Sequence, residues 1–226
     1  HPFIEMVHPT RTRKESFEKF ALDSNIKTVG LLPGSRMNEV TSLLDEMLHA
    51  AEKIKKELGS CQFLLPVAES IDTALIQQKL GSNLLDIKLV QGETYDVMNT
   101  CDTLIIASGS ATLEAGIIGC PMVIVYKLSP LTYWLALMLI NTPYYGLVNI
   151  VAGEGVAPEL IQGKANADNI AAETLKLLKN PKHCQEVRDR LLLVRKNLGS
   201  PGVMKAVASS MADSLSKITP HEKISL

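Results

Sequence analysis

Ser110, Ala111, Thr112 and Glu114 belong to the run Ala107-Ser108-Gly109-Ser110-Ala111-Thr112-Leu113-Glu114, which leads from an apolar stretch into a helical pattern through small residues. Small side chains let backbone N–H groups approach a diphosphate, a helix start attracts its charge, and a carboxylate one turn on can hold ribose hydroxyls. That is the chemistry of a sugar-nucleotide site. The same run also serves as an ordinary helix start with a serine N-cap. A second run, Pro33-Gly34-Ser35-Arg36, offers pliable backbone, a hydroxyl and a fixed positive charge. The planar fork of Arg36 either neutralises a diphosphate or pairs with Glu39 on the first turn of a helix. Asn149, in Leu147-Val148-Asn149-Ile150, either recognises a sugar or satisfies the backbone of its own loop.

Several chemistries drop out. No Gly-Lys-Ser/Thr follows Gly30 and Gly34, and Gly109 lacks the companions of G-x-G-x-x-G, so neither ATPase nor NAD signatures are present. Neither serine of Ala107-Ser108-Gly109-Ser110-Ala111 is flanked by glycine on both sides, and no Ser/His/Asp arrangement can be assembled. His49 suits the flank of a helix better than the role of a base.

The elements that must position these runs alternate. Apolar strand patterns at 27–32, 61–67, 87–90, 103–106 and 121–126 are each followed by a turn. Helical patterns follow the first four, at 37–58, 70–80, 95–100 and 110–119. Alternation of this kind predicts an α/β fold: a Rossmann-like parallel sheet with helices on both faces. Ligands then gather at the carboxyl ends of the strands, where both runs lie. Beyond Tyr126 the pattern changes to an apolar helix at 128–140, a glycine-containing loop at 144–155, and helices at 158–162, 167–179, 181–198 and 201–215. The expected organisation is a connector with a short helix at 1–25, a Rossmann-like domain at 26–165, carboxyl-terminal helices at 166–218 and a loose tail at 219–226.

Composition sets bounds. The chain has 226 residues, 46% of them apolar, which suffices for a sizeable core. Its 23 basic residues balance 24 acidic ones, so nothing suggests a nucleic-acid surface. Cys61, Cys101, Cys120 and Cys184 form no C-x-x-C pair and share no metal-ligand spacing with the histidines, which suggests buried free thiols of a reducing compartment. No signal-peptide pattern opens the chain, and a start at His1 suggests a piece of a longer protein. The apolar stretch 131–140, between Pro130 and Pro143, falls short of the ~20 residues a spanning helix needs.

The ordered motifs Leu31-Leu32-Pro33-Gly34-Ser35-Arg36, Ser108-Gly109-Ser110-Ala111-Thr112-Leu113-Glu114, Tyr126 to Ala136, Leu147-Val148-Asn149-Ile150-Val151-Ala152-Gly153 and Pro158-Glu159-Leu160-Ile161-Gln162 together resemble the carboxyl-terminal half of the lipid-A-disaccharide synthase family. These are GT-B glycosyltransferases of Gram-negative lipopolysaccharide synthesis. The resemblance implies inverting transfer of 2,3-diacylglucosamine from UDP-2,3-diacylglucosamine to 2,3-diacylglucosamine 1-phosphate, giving a β-1,6 disaccharide and UDP. This half would bind the donor, with no cofactor or metal, while the amino-terminal half would supply the acceptor site and general base. The catalytic residue is therefore unknown here, and the chain alone would be inactive.

Carried over by position, Ser35 and Arg36 would face the donor diphosphate or sugar. Ser110, Ala111 and Thr112 would donate to phosphate, Glu114 would hold ribose, and Asn149 would lie near the donor sugar. Tyr133 and Trp134 would touch acyl chains or the membrane interface, or else pack in the core. The resemblance further suggests a homodimer, peripheral on the cytoplasmic face of the bacterial inner membrane. Two positions depart from the family pattern: Ser110 stands where threonine is expected, and Glu154 where a basic residue is frequent. The alternatives are another UDP-sugar GT-B enzyme, such as an N-acetylglucosaminyltransferase or an epimerase, and a non-catalytic nucleotide-binding module.

Overall fold

The computed structural model describes residues 1–81, 85–128 and 142–218. Six strands form one parallel sheet: β1 (Thr28–Leu32), β2 (Gln62–Val67), β3 (Ile87–Gln91), β4 (Thr103–Ala107), β5 (Met122–Tyr126) and β6 (Glu159–Ile161). Their order is β3-β2-β1-β4-β5-β6, so the chain winds outward from β1 in one direction and then returns to wind from β4 in the other. Parallel strands covered on both faces need near-continuous apolar runs. Strands β1 and β4 are buried along their whole length.

The helices are α1 (Phe3–Met6), α2 (Arg13–Lys19), α3 (Met37–Leu58), α4 (Thr73–Leu80), α5 (Thr94–Thr100), α6 (Ser110–Ile118), α7 (Leu147–Ala152), α8 (Ala167–Lys179), α9 (Pro181–Asn197) and α10 (Val203–Ile218). Helix α3 buries Val40, Leu43, Leu44, Met47, Ala51 and Ile54 along one face and packs against α8. Helices α5 and α6 also pack on the sheet, with α2 on α5 and α9 on α6. Gly116 lets α6 and α7 pack closely: a Cβ there would stand 2.8 Å from Val148 Cγ2, so a larger residue would force Val148 or the helix to shift. One buried cluster runs from Val7 and Phe20 to Val194 and includes residues of both the amino-terminal segment and α8–α9.

Two sequence expectations are corrected. Residues 158–161 form no helix, and Gln162 only opens a single 3-10 turn, Gln162–Lys164. Pro158 precedes β6, which pairs with β5 in the register Ile124↔Glu159, Val125↔Leu160 and Tyr126↔Ile161, with Leu160 buried. The free edge of β5 supplies the ladder that a short local pattern does not reveal. The expected loop 144–155 contains α7, closed by Gly153 in the left-handed conformation.

Cys61, Cys101 and Cys120 are buried free thiols, whereas Cys184 is only half-buried. Burial pushes the Cys61 and Cys120 thiols up to about 12, which makes them poor nucleophiles. The expected apolar helix at 128–140 and the loose tail lie almost wholly outside the described residues, as do Tyr133 and Trp134.

Candidate functional site

The strand order reverses between β1 and β4, and in an open parallel sheet that switch point opens a crevice at the carboxyl ends. Leu32 lies in register with Ile106, so the loops after β1 and β4 leave the sheet at the same level. They flank a cleft of about 930 Å³. Ser35, Arg36, Ser110, Ala111 and Glu114 all line it, so five of the seven residues expected to hold a nucleotide come together from two distant parts of the chain.

The first loop is built around Gly34, whose φ of +115° is a left-handed value that side chains disfavour. Its carboxylate neighbour Glu39 reaches back from α3, accepting from the Ser35 N–H at 3.2 Å, the Arg36 N–H at 3.4 Å and the Arg36 guanidinium at 3.3 Å. Arg36 thus meets Glu39, yet its side chain remains 82% exposed and free to swing toward an anion. Ser70 fixes the loop from outside by donating to the Ser35 carbonyl at 2.7 Å.

The second loop is held by Ser108, whose N–H donates to Val125 O and whose hydroxyl donates to Tyr145 O, both at 3.0 Å. Helix α6 follows Gly109 with no side chain capping its amino terminus. An uncapped start exposes backbone donors and the positive end of the helix dipole. Thr112 behaves differently from expectation. It is fully buried, and both its N–H (3.2 Å) and its hydroxyl (2.8 Å) donate to Gly109 O, so it braces the turn rather than facing phosphate.

Glu114 lies one turn into α6, half-buried at the cleft wall. Desolvation raises its pKa above the ordinary carboxylate value, and hydroxyl donation from Ser110 and Tyr95 only partly offsets this. Burial and the neighbouring Glu114 charge likewise push the Tyr95 phenol up. A half-desolvated carboxylate held by exchangeable hydroxyls is suited to accept from a diol.

Asn149 is corrected outright. It is fully buried, and its Nδ2 donates to Ala157 O and Glu159 Oε1, both at 2.8 Å, while its Oδ1 accepts from the Val156 and Ala157 N–H groups at 2.9 Å. An amide with every donor and acceptor engaged has nothing left for a sugar. It borders a separate cavity of about 410 Å³. Glu159 completes that arrangement by accepting from Tyr145 N at 2.8 Å and Gly146 N at 3.0 Å. On the other flank of β6, Gln162 clasps Leu128, accepting its N–H at 2.7 Å and donating to its carbonyl at 3.0 Å.

Sequence reasoning missed a third wall. Gly92, Glu93, Thr94, Tyr95 and Asp96 line the cleft from the end of β3, and applying the strand-end rule to β3 would have found them. Asp96 is buried, yet it accepts from Thr10 N (2.8 Å), Thr10 Oγ1 (2.6 Å), Arg11 N (2.9 Å) and the Arg11 guanidinium (3.0 Å). Glu93 pairs with Arg11 at 2.6 Å and Lys19 at 2.5 Å. These bonds strap the amino-terminal segment to the cleft.

The family model of lipid-A-disaccharide synthetase (LpxB) matches residues 1–210. Among curated relatives, the lipid-A-disaccharide synthase of Geobacter sulfurreducens is 42% identical over 217 residues, covering 96% of this chain and 56% of that protein. The synthase of Syntrophus aciditrophicus is 41% identical over 209 residues, covering 92% and 55%. The chain thus spans about half the length of the curated relatives it matches.

Among solved structures, the UDP-GlcNAc 2-epimerase of Neisseria meningitidis, determined with UDP-GlcNAc, aligns with a TM-score of 0.61 at 15% identity, covering 93% of this chain and 52% of that one. WaaG, a glycosyltransferase of lipopolysaccharide biosynthesis, aligns with a TM-score of 0.56 at 12% identity, covering 84% and 48%. At such identities the likeness establishes the shared fold, the α/β architecture of GT-B proteins. The family match and the curated relatives carry the rest: the chain belongs to the lipid-A-disaccharide synthetase family.

Proposed function

We propose that this chain is the donor-nucleotide half of a lipid-A-disaccharide synthase. In this reading UDP-2,3-diacylglucosamine seats its diphosphate between Arg36 and the start of α6, with Ser35, Ser110 and Ala111 as further donors and Glu114 on the ribose. The observation that carries it is the convergence of these residues at the switch point of the sheet, beside an uncapped helix start. Departing UDP gains negative charge as the glycosidic bond breaks. Arg36 and the α6 dipole are placed to meet that charge without a metal ion.

The inverting step needs a base to deprotonate the acceptor hydroxyl of 2,3-diacylglucosamine 1-phosphate. Glu39, Glu93 and Asp96 are engaged in loop hydrogen bonds and ion pairs, which supports a base contributed from outside this cleft. Both substrates of this reading carry acyl chains, which supports an enzyme peripheral to a membrane; the cytoplasmic face of the inner membrane and a homodimer are carried over from the family resemblance. Among the described residues, no helix is long and apolar enough to cross a membrane.

Calorimetric titration with UDP tests the reading. The parent is expected to bind UDP, and Glu114→Ala to bind it on the order of tenfold more weakly, the loss of hydrogen bonds to a charged acceptor. Equal affinities in two folded proteins would overturn the ribose assignment.

A further inference from the structure

Helix α7 turns Leu147, Ile150 and Val151 outward, at 36%, 43% and 36% exposure, while Val148 and Asn149 face the interior. The spacing i, i+3, i+4 gathers the three aliphatic side chains on one face. A solvent-facing helix surface is ordinarily polar, and three clustered aliphatics on six residues mark a contact surface more than scattered exposure does. Ile150 is at once exposed and part of the wall of the cleft, so the apolar face continues the nucleotide site outward.

From this continuity we infer that the outer face of α7 is a hydrocarbon subsite, which receives an acyl chain of the sugar nucleotide bound in the cleft. The inference rests on the donor reading given above. Charge argues against an anionic bilayer as occupant. The face carries no basic residue, and the next charged residue in the chain is Glu154, paired with Arg190 at 3.0 Å, whereas anionic lipid surfaces attract lysine and arginine. A second copy of the chain is disfavoured by size, because three part-exposed side chains fall far short of the ~800 Å² per partner that a stable interface buries. A single acyl chain matches the face in both chemistry and scale.

The test compares the parent, Leu147→Gln/Val151→Gln and the control Leu193→Gln, an exposed apolar position on α9. Each is titrated with UDP and with UDP-glucosamine carrying short or long acyl chains. Neither Leu147 nor Val151 lines the cleft, so UDP affinity is expected to stay constant. The parent should bind the long-chain ligand more tightly than UDP. The double variant should lose on the order of tenfold of that gain, and the control none of it.

An equal gain in parent and double variant would overturn the subsite, as would an equal loss in the control. UDP binding with no benefit from chain length would also overturn it while leaving the nucleotide site intact. Failure of every protein to bind UDP would overturn the donor reading and this inference together. Variant-sensitive flotation with anionic vesicles would reassign the face to a membrane surface, and a dimer that the double variant dissolves would reassign it to a second copy.

Discussion

Replacing Asn149 with alanine distinguishes an amide that builds the fold from one that touches a ligand. The substitution strands the Ala157 N–H and the Ala157 carbonyl, leaves the Val156 N–H only its bond to Glu154 O at 3.0 Å, and removes one of three donors to Glu159. An orphaned buried backbone group costs about 1–3 kcal/mol. The adjacent cavity of about 410 Å³ can admit water, which places each orphaned group at the low end, so the two together cost about 2 kcal/mol. That is a large fraction of the ~5–15 kcal/mol that holds a typical domain together. Asn149→Asp keeps the acceptor for the two N–H groups but sets a second carboxylate against Glu159, and is expected to be no more stable than alanine. Urea denaturation gives the stability, and UDP titration well below the transition gives the affinity. A stability loss under about 1 kcal/mol accompanied by clearly weakened UDP binding would refute the structural role and return Asn149 to the ligand.

Two further outcomes follow from other residues. Because desolvation raises the Glu114 pKa, the empty protein protonates this group at a higher pH than an ordinary carboxylate, and ribose hydroxyls need the ionised form. UDP affinity should therefore fall as pH drops through that raised value, beginning above 4.5. The difference between parent and Glu114→Gln removes the titration of the nucleotide itself, and superimposable profiles would refute the assignment. The stability of the empty protein runs the other way: with the folded pKa raised, the Glu114 contribution is present below 4.5 and is lost as pH climbs through the folded value. Asp96→Ala frees Thr10 and the Arg11 N–H and leaves the Arg11 guanidinium its pair with Glu93, for an expected loss of about 2 kcal/mol, the segment being open enough for water to replace part of the network. Trypsin should then cut faster at Arg11 and Arg13 than in the parent, and unchanged cleavage would show that the strap is not what protects them.

The five longer strands were legible because buried parallel strands impose continuous apolar runs, as in Thr103–Ala107, with glycine, proline or charge at their ends. Strand β6 was not, because three residues after Pro158 carry too little pattern, and what makes them a strand is the free edge of β5. The Ser35–Arg36 and Ser110–Glu114 loops were legible from strand ends and small residues. Thr112 and Asn149 were not, because their roles depend on which way each side chain turns. Thr112 turns back to Gly109, and Asn149 turns to backbone seven and eight residues onward. Tyr95 lay in plain view after the third strand, but it carries no phosphate-binding signature of its own.

The short edge strand β6 has a consequence for remodelling the protein. Gln162, just past one end, grips Leu128, and Glu159 at the other end grips Tyr145 and Gly146, so residues 128 and 145 beside the cleft are both tied to the same sheet edge. The anchors use backbone atoms of Leu128, Tyr145 and Gly146, which any side chain there would preserve. Leu128 and Tyr145 therefore keep fixed positions whatever sequence joins them. Residues 128 and 145 become natural junctions for replacing the stretch between them while the sheet that aligns the cleft residues stays as it is.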